Sequence, residues 1–475
     1  MTRVKLLAVF CAFGLLNLNG ESTPDVAVQE RQAKQAMLAG HYGEAAAIYR
    51  QMLAALPGEP SIRFNLGLAL YSSGQYREAL QQFESIRQAA ARNPKFWFLL
   101  GMAYLNIHQP GKAIEPLEHA VALEPKNFDS RLELADALLE SDRLIPAETA
   151  FLKLSDEYPN VPKIWEGLCL AELALSRKAF EELARSAPES SFRYGLAALA
   201  AAEGGNEKQA FELYNQALAA KPNALWMRRE RSQLDASASG NPVADNCEYG
   251  TLACEFFRSE YRRVTAESER EATPEALYWR SRAYAELARE RMQKLSALPP
   301  SAEQHQLLGH LYAQSGRKAE AIVELREAAK LDPGSILVQG QLAKALWTDR
   351  QYDQAIPMLE RLIASSPENP DWQFELGDAL FQTGKPEEAI PHLKAAVALS
   401  PQLLAAEARL GEVMLQTGRP ADAIPHLERA QAIDTDGSIH FQLATAYRQV
   451  GKTDLAARAI AGQKAIRSAA TAIPR

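Results

Sequence analysis

The sequence predicts an all-α protein, an α-solenoid of stacked helix–turn–helix units, on three observations. Of 475 residues 47% are hydrophobic and only 8% aromatic, with alanine and leucine dominant, a balance that favours helix. The stretch "GKPEEAIPHLKAAVALSP" from Gly384 returns 34 positions later as "GRPADAIPHLERAQAIDT" from Gly418. No segment alternates apolar and polar residues for long enough to build a sheet. The length exceeds a usual single core and suits two to four domains or a repeat array.

The chain opens on a different pattern. Arg3 and Lys5 precede an apolar run from Leu6 to Leu16, and a polar break follows. A charged start and a short apolar stretch predict a secretory leader over residues 1–20. Eleven residues are too few to span a bilayer comfortably, so a cleaved leader fits better than an anchor. The cleavage signal itself is poor, with Gly20 preceded by Leu18 rather than a small residue. No later segment is apolar enough to be transmembrane.

The repeat then runs through the chain in one register. Ala113, Ala147, Ala210, Ala321, Ala355 and Ala389 each stand 12 residues before a proline. Leu117, Phe151, Tyr214, Leu325, Leu359 and Leu393 stand 8 before the same prolines. Each unit therefore reads as a helix, a turn usually centred on Gly, a second helix, and a Pro that lacks the N–H another turn would need. Gly101, Gly377 and Ala389 fall where two helices should cross closely. A further proline, at Pro116, Pro357, Pro391 and Pro425, is expected in the first turn or so of the second helix, where a missing donor is tolerated.

This pattern resembles the tetratricopeptide repeat. Trp97, Leu100, Gly101, Tyr104, Ala113, Leu117, Ala120 and Pro125 match its motif in one unit, and Leu376, Gly377, Leu380, Ala389, Leu393, Ala396 and Pro401 in another. The resemblance covers nearly everything from Val26 to about Arg467. It implies a right-handed superhelix, stacked because no unit buries its apolar face alone.

Two departures divide the array. Trp165 to Pro188 spans 23 residues where Trp97 to Pro125 spans 28, and the loss lies around "LALSRK", so a shorter turn is expected there. From about Leu225 to Thr273, "SASGNPVADN" reads as a loop and the following residues as a worn helix pair with Tyr261 near its turn. The expected organisation is an N-terminal array over 26–224, an irregular joint over 225–273, and a C-terminal array over 274–467. Cys11 leaves with the leader and Cys169 occupies a small buried position, so Cys247 and Cys254 are the natural disulfide pair of an exported chain. Seven residues apart on one helix they would lie about 10.5 Å apart, so a bridge needs Cys247 in the loop; two free thiols are the alternative.

The search for chemistry finds no H-E-x-x-H, C-x-x-C, G-x-S-x-G or G-x4-G-K-[ST]. His305 and His310 are five apart and do not share a helix face, while His392 and His426 occupy one repeat position. Only about fifty residues escape the repeat, too few for an ordinary catalytic domain. The chain is read as no enzyme, with no cofactor and no metal. A net charge of -7 argues against nucleic acid as the main ligand.

What remains is a surface. The resemblance implies that the first helix of each unit lines a concave groove that holds extended peptides or partner helices. The groove positions are Phe64, Phe98, Met102, Asp136 and Glu140 in the first array. In the second they are His310, Lys344, Trp347, Asp371, Phe374, Asp378, Phe381, Glu412 and Arg448. Rings flanked by charges suit a peptide, although Phe374 and Phe381 at a seven-residue interval suit packing between repeats as well. The basic clamp that some relatives use for C-terminal carboxylates is not visible. The expected function is a protein-binding scaffold in the periplasm or outside the cell; a carbohydrate-binding or polysaccharide-export accessory is the alternative, and a regulatory subunit of a separate enzyme a third.

Overall fold

A computed structural model describes residues 24–222, 224–234 and 251–471. The expected leader over 1–20 and Cys247 lie outside the described residues. Among the described residues every regular element is helical, with 25 α-helices and one three-residue 3-10 turn. The protein is an all-α solenoid of stacked helix pairs.

The contacts group into two compact units, one joining the residues up to Gln109 with those from Leu308 onward, the other spanning Pro110–Leu307. The chain begins with α1 (Pro24–Leu38), α2 (Tyr42–Ala55), α3 (Pro60–Ser72), α4 (Tyr76–Ser85) and α5 (Pro94–Asn106). It continues with α6 (Pro110–Leu123), α7 (Phe128–Glu140), α8 (Leu144–Glu157), α9 (Pro162–Ser186), α10 (Ser191–Glu203), α11 (Glu207–Ala220) and α12 (Leu225–Leu234). Next come α13 (Thr251–Phe257), α14 (Tyr261–Ser268), α15 (Pro274–Ser296) and α16 (Ala302–Gln314). The last nine are α17 (Lys318–Leu331), α18 (Ile336–Thr348), α19 (Tyr352–Ser365), α20 (Pro370–Gln382), α21 (Pro386–Leu399), α22 (Leu404–Gln416), α23 (Pro420–Ala430), α24 (Ser438–Gln449) and α25 (Thr453–Thr471).

Local chemistry sets both ends of a unit. Asn369 caps α20 by accepting from the amides of Asp371 and Trp372 at 3.0 and 3.1 Å, and Pro370 takes the first helical position, where its missing donor costs nothing. The turn inside a unit needs one left-handed residue. Gly384, at φ +81°, lets its own amide reach Phe381 O and that of Lys385 reach Leu380 O, closing α20 with paired carbonyl bonds. The same turn falls at Gly316, Arg350 and Gly418, spaced 34 residues apart.

The close crossings are where the spacing placed them. A Cβ on Gly377 would lie 2.7 Å from Leu393 Cγ and 3.2 Å from Ala389 O. Gly411 with Leu427 and Gly309 with Leu325 repeat that contact at 2.6 and 2.8 Å. All six repeat alanines, from Ala113 to Ala389, are fully buried. One expectation needs correction. Pro357, Pro391 and Pro425 are the sixth residues of their helices, one turn deeper than expected. Arg361 and Arg429 Nε each donate 3.1 Å to the carbonyl of the proline four residues before them.

A second correction concerns the short unit. No shortened turn exists near 172–179: α9 runs unbroken for 25 residues, and α15 for 23. With the turn residue deleted, "ELALSRKA" consists mostly of good helix formers and nothing stops the helix. The two long helices pack antiparallel, Ser176 Oγ donating to Ser281 O at 2.7 Å and Cys169 Sγ lying 3.4 Å from Ala288 O. Beside them sits a part-buried ion cluster, its carboxylates buried and Arg262 partly open. Arg262, on α14, contacts both Glu148 and Glu172, and Arg291 Nε lies 3.3 Å from Glu172. Burial pushes the Glu172 carboxyl up to about 7, with Arg291 and Arg262 opposing the rise. The worn pair forms α13 and α14 around a left-handed Ser259. Cys254 is in a disulfide and Cys169 is a free, buried thiol; the pairing of Cys247 with Cys254 lies outside the described residues.

Candidate functional site

The first helices of successive repeats, α18, α20, α22 and α24, lie side by side, each touching the next. Their shared face carries a chain of contacts with a simple geometry. Trp347 Nε1 donates to Asp378 Oδ2 at 2.8 Å, 31 residues ahead. Arg409, another 31 residues on, places Nε 2.7 Å from the other Asp378 oxygen, a close but bent ion pair. A step of 31 is one 34-residue repeat less about one helical turn, so the ladder crosses the repeats diagonally. Arg409 Nη1 also donates to Glu412 at 2.6 Å, and its guanidinium sits 5.4 Å over the Phe381 ring. Trp347 and Phe374 meet edge to face at 5.8 Å.

Trp347, Phe374, Asp378, Phe381 and Glu412 are thus brought together. Asp378 is buried, and the three rings are half-buried, part packed on the core and part open. Inter-repeat packing and open ring area therefore coexist on the same side chains. His310 is exposed and bonded to Gln314 at 2.8 Å within its own helix. Lys344, Asp371 and Arg448 are exposed. In the first array the outcome differs. Phe64, Phe98 and Met102 are no more than 5% exposed, so they pack rather than offer area to a ligand. Their helices carry apolar residues on every side, which the groove register alone does not reveal. Asp136 is half-buried, 3.9 Å from Lys163 Nζ, and Glu140 is exposed.

Two residues of this face escaped the sequence reading. Arg409 holds the ladder together, and Glu375, 34 residues before it, is 3% exposed with one carboxyl oxygen lacking any hydrogen-bond partner. Burial pushes Glu375 up to about 8, Lys344 opposing the rise and Asp371 adding to it. The signal was a charged pair at one register position, buried at Glu375 and half-buried at Arg409. His392 and His426 share a role too: each bonds the residue 19 before it, Gln373 at 2.8 Å and Glu407 at 2.5 Å, tying second helix to first. Among the described residues no group of three or more His, Cys, Asp or Glu is placed to hold a metal ion. No described helix is long and apolar enough to cross a membrane.

Three family profiles, each described as tetratricopeptide repeat, match the chain: one over 98–162 and 341–403, one over 36–103 and 380–447, and one over 303–335. The chain belongs to the tetratricopeptide repeat family. Solved structures similar to it include a MamA structure (MSR-1), 25% identical over 36% of this chain and 98% of that one, at a TM-score of 0.32. Another is YrrB, described as a TPR protein with an unusual peptide-binding site, 18% identical over 35% of this chain and 87% of that one, at 0.32. A MamA double mutant (RS-1) is 18% identical over 37% and 100%, at 0.34. No curated protein matches the chain.

Proposed function

We propose that this chain is a non-catalytic scaffold that works in an exported compartment and holds a peptide or partner protein against the first-helix face of its C-terminal repeats. The observation that carries the reading is the row Trp347, Phe374 and Phe381: rings half open to solvent, with the neighbouring charges already paired to one another. Such a surface offers rigid apolar area at little cost in desolvated charge, as binding hot spots do. Exposed Lys344 and Asp371 flank the rings and can fix the register of an extended ligand.

Selection of a displayed peptide library tests the binding half. The wild-type chain should enrich a defined motif, and Trp347→Ala with Phe381→Ala should lose it while keeping the wild-type helical spectrum. Enrichment that survives the double substitution, or binding confined to a glycan array, overturns the peptide reading. Fusing residues 1–20 to an alkaline phosphatase that folds only outside the cytoplasm tests the export half; an inactive reporter rejects it.

A further inference from the structure

Helix α4 starts without a cap of its own, since the side chain of Gln75 makes no hydrogen bond to the helix end. Its second amide is bonded all the same. Arg77 N donates to Glu368 Oε2 at 3.0 Å, across 291 positions of sequence. The side chain of the same residue points the other way: Arg77 Nη2 donates to Leu399 O at 3.0 Å, on the last residue of α21. A carboxylate thus meets the positive end of one helix, and a guanidinium meets the negative end of another. The backbones approach as well, for a Cβ on Gly74 would lie 3.0 Å from Ser365 O.

The sequence departs from its own repeat at these points. Counted from the left-handed turn residue, the position of Arg77 carries Gly43 and Gly111 in the flanking repeats and Asp353 and Glu387 farther on. The position of Glu368 carries Gly334 and Gln402 one repeat to either side. In the other compact unit, Arg262 stands three residues after left-handed Ser259, in the register position of Arg77, and its guanidinium also makes long-range contacts, in its case to the carboxylates of Glu148 and Glu172.

The contact is polar. The apolar core built from residues between Ile322 and Ala459 includes none from 24–109, nor Ser365, Glu368 or Leu399. Burial holds the Glu368 carboxyl above its ordinary range, against the Arg77 amide and charge, as expected of a carboxylate removed from water.

We infer that Arg77 and Glu368 form a reversible clasp that latches the repeat around α3 and α4 onto the ends of α19 and α21, giving this unit a latched and an unlatched form with both sets of repeats folded. The inference goes beyond the ligand reading and does not depend on it. A polar closure whose partner residues stand outside that core opens without unfolding it.

Amide hydrogen exchange on the full chain reads the latch directly. The Arg77 amide should be protected in the wild type, although the second amide of an uncapped helix ordinarily is not. Glu368→Ala should speed its exchange roughly tenfold or more, the weight of one charge-assisted bond, and leave Leu80 and Phe83 within α4 unchanged. Arg77→Ala is the second arm, read as the distance between spin labels at exposed Gln81 and Gln402, which should lengthen and broaden. An Arg77 amide that exchanges freely in the wild type overturns the clasp. So do label distances that stay the same in both variants. Loss of helix in Glu368→Ala also overturns it, because the contact would then be part of the fold rather than a latch.

Discussion

In residues 308–471 the left-handed turn recurs at Gly316, Arg350, Gly384 and Gly418, and the interior repeats with it. In residues 110–307 the same count of 34 from Asp142 reaches Ser176, which lies inside a helix. The first region fills its core with Leu, Ile and Ala, one repeat resting on the next. The second fills one cluster with Phe192, Trp226, Phe256, Tyr278 and Trp279, and buries Glu148 and Glu172 beside arginines. The difference teaches what a turn does in a solenoid. Where it is kept, every unit presents the same small surface and aliphatic residues of fixed size suffice. Where it is lost, a long helix needs another long helix for a partner, and the irregular gaps around the pair take aromatic rings and paired charges.

The largest test of this contrast lies in the irregular region. Trp279 is fully buried against Phe256 and Phe257 of α13, at 5.2 and 5.9 Å, and Trp226 of α12 at 5.6 Å. Trp279→Ala should cost about 3–5 kcal/mol. Trp279→Phe should cost far less, since the indole N–H has no hydrogen-bond partner to lose. Chemical denaturation of the two variants checks this, and equal losses would mean that ring size is not what fills the site.

In the regular region overpacking is the sharper probe. Ala389→Leu adds methylenes at a crossing where Gly377 and Leu393 leave no room, and should cost about 1–3 kcal/mol. Glu388 is exposed beside Lys385, so Glu388→Leu should stay within about 0.5 kcal/mol. Equal melting temperatures would refute the register.

Acid–base behaviour separates the regions again. Glu375 rises from 4.5 to about 8 through burial, so the folded chain holds this proton more tightly than the unfolded one. Its contribution to stability is complete below about pH 4.5 and is lost as pH climbs toward 8. Glu375→Gln should therefore stabilise the protein at pH 8.5, on the order of 1–2 kcal/mol, and change little at pH 5. Glu172, raised to about 7, should behave differently because Arg262 and Arg291 depend on it. Glu172→Gln takes from Arg291 its buried partner and leaves Arg262 only Glu148, and should destabilise above pH 7. Thermal melts of both variants across pH decide, and a matching response from the two would erase the distinction.

The 34-residue period made the regular architecture legible, down to Gly377 against Leu393, because a small residue facing a large one at fixed spacing has a single packing solution. The ladder was half legible. Trp347, Asp378 and Phe381 were readable as one face, but Arg409 was not, since its link to Asp378 depends on how far one repeat is displaced against the next. Phe98 and Met102 fitted the groove register and are buried, because register gives a direction and not what covers it. The unbroken α9 was hidden in a deletion, where helix propensity, weak inside a repeat, had nothing left to oppose it.

Two positions that the register treats alike should respond to glycine with opposite sign, and this is the smallest effect. Arg350 holds the left-handed turn at φ +60°, a conformation in which a side chain is strained. Arg350→Gly should relieve that strain and, after the added freedom of the unfolded chain, gain about 0.5–1 kcal/mol. Ser176 is the residue 34 past left-handed Asp142, yet it is helical and bonds Ser281 O. Ser176→Gly removes that bond and puts glycine inside a helix, and should lose about 1 kcal/mol. Urea denaturation resolves differences of this size. A gain at both positions would mean that α9 retains a turn in solution; a loss at both would mean that the Arg350 side chain contributes more than its backbone costs.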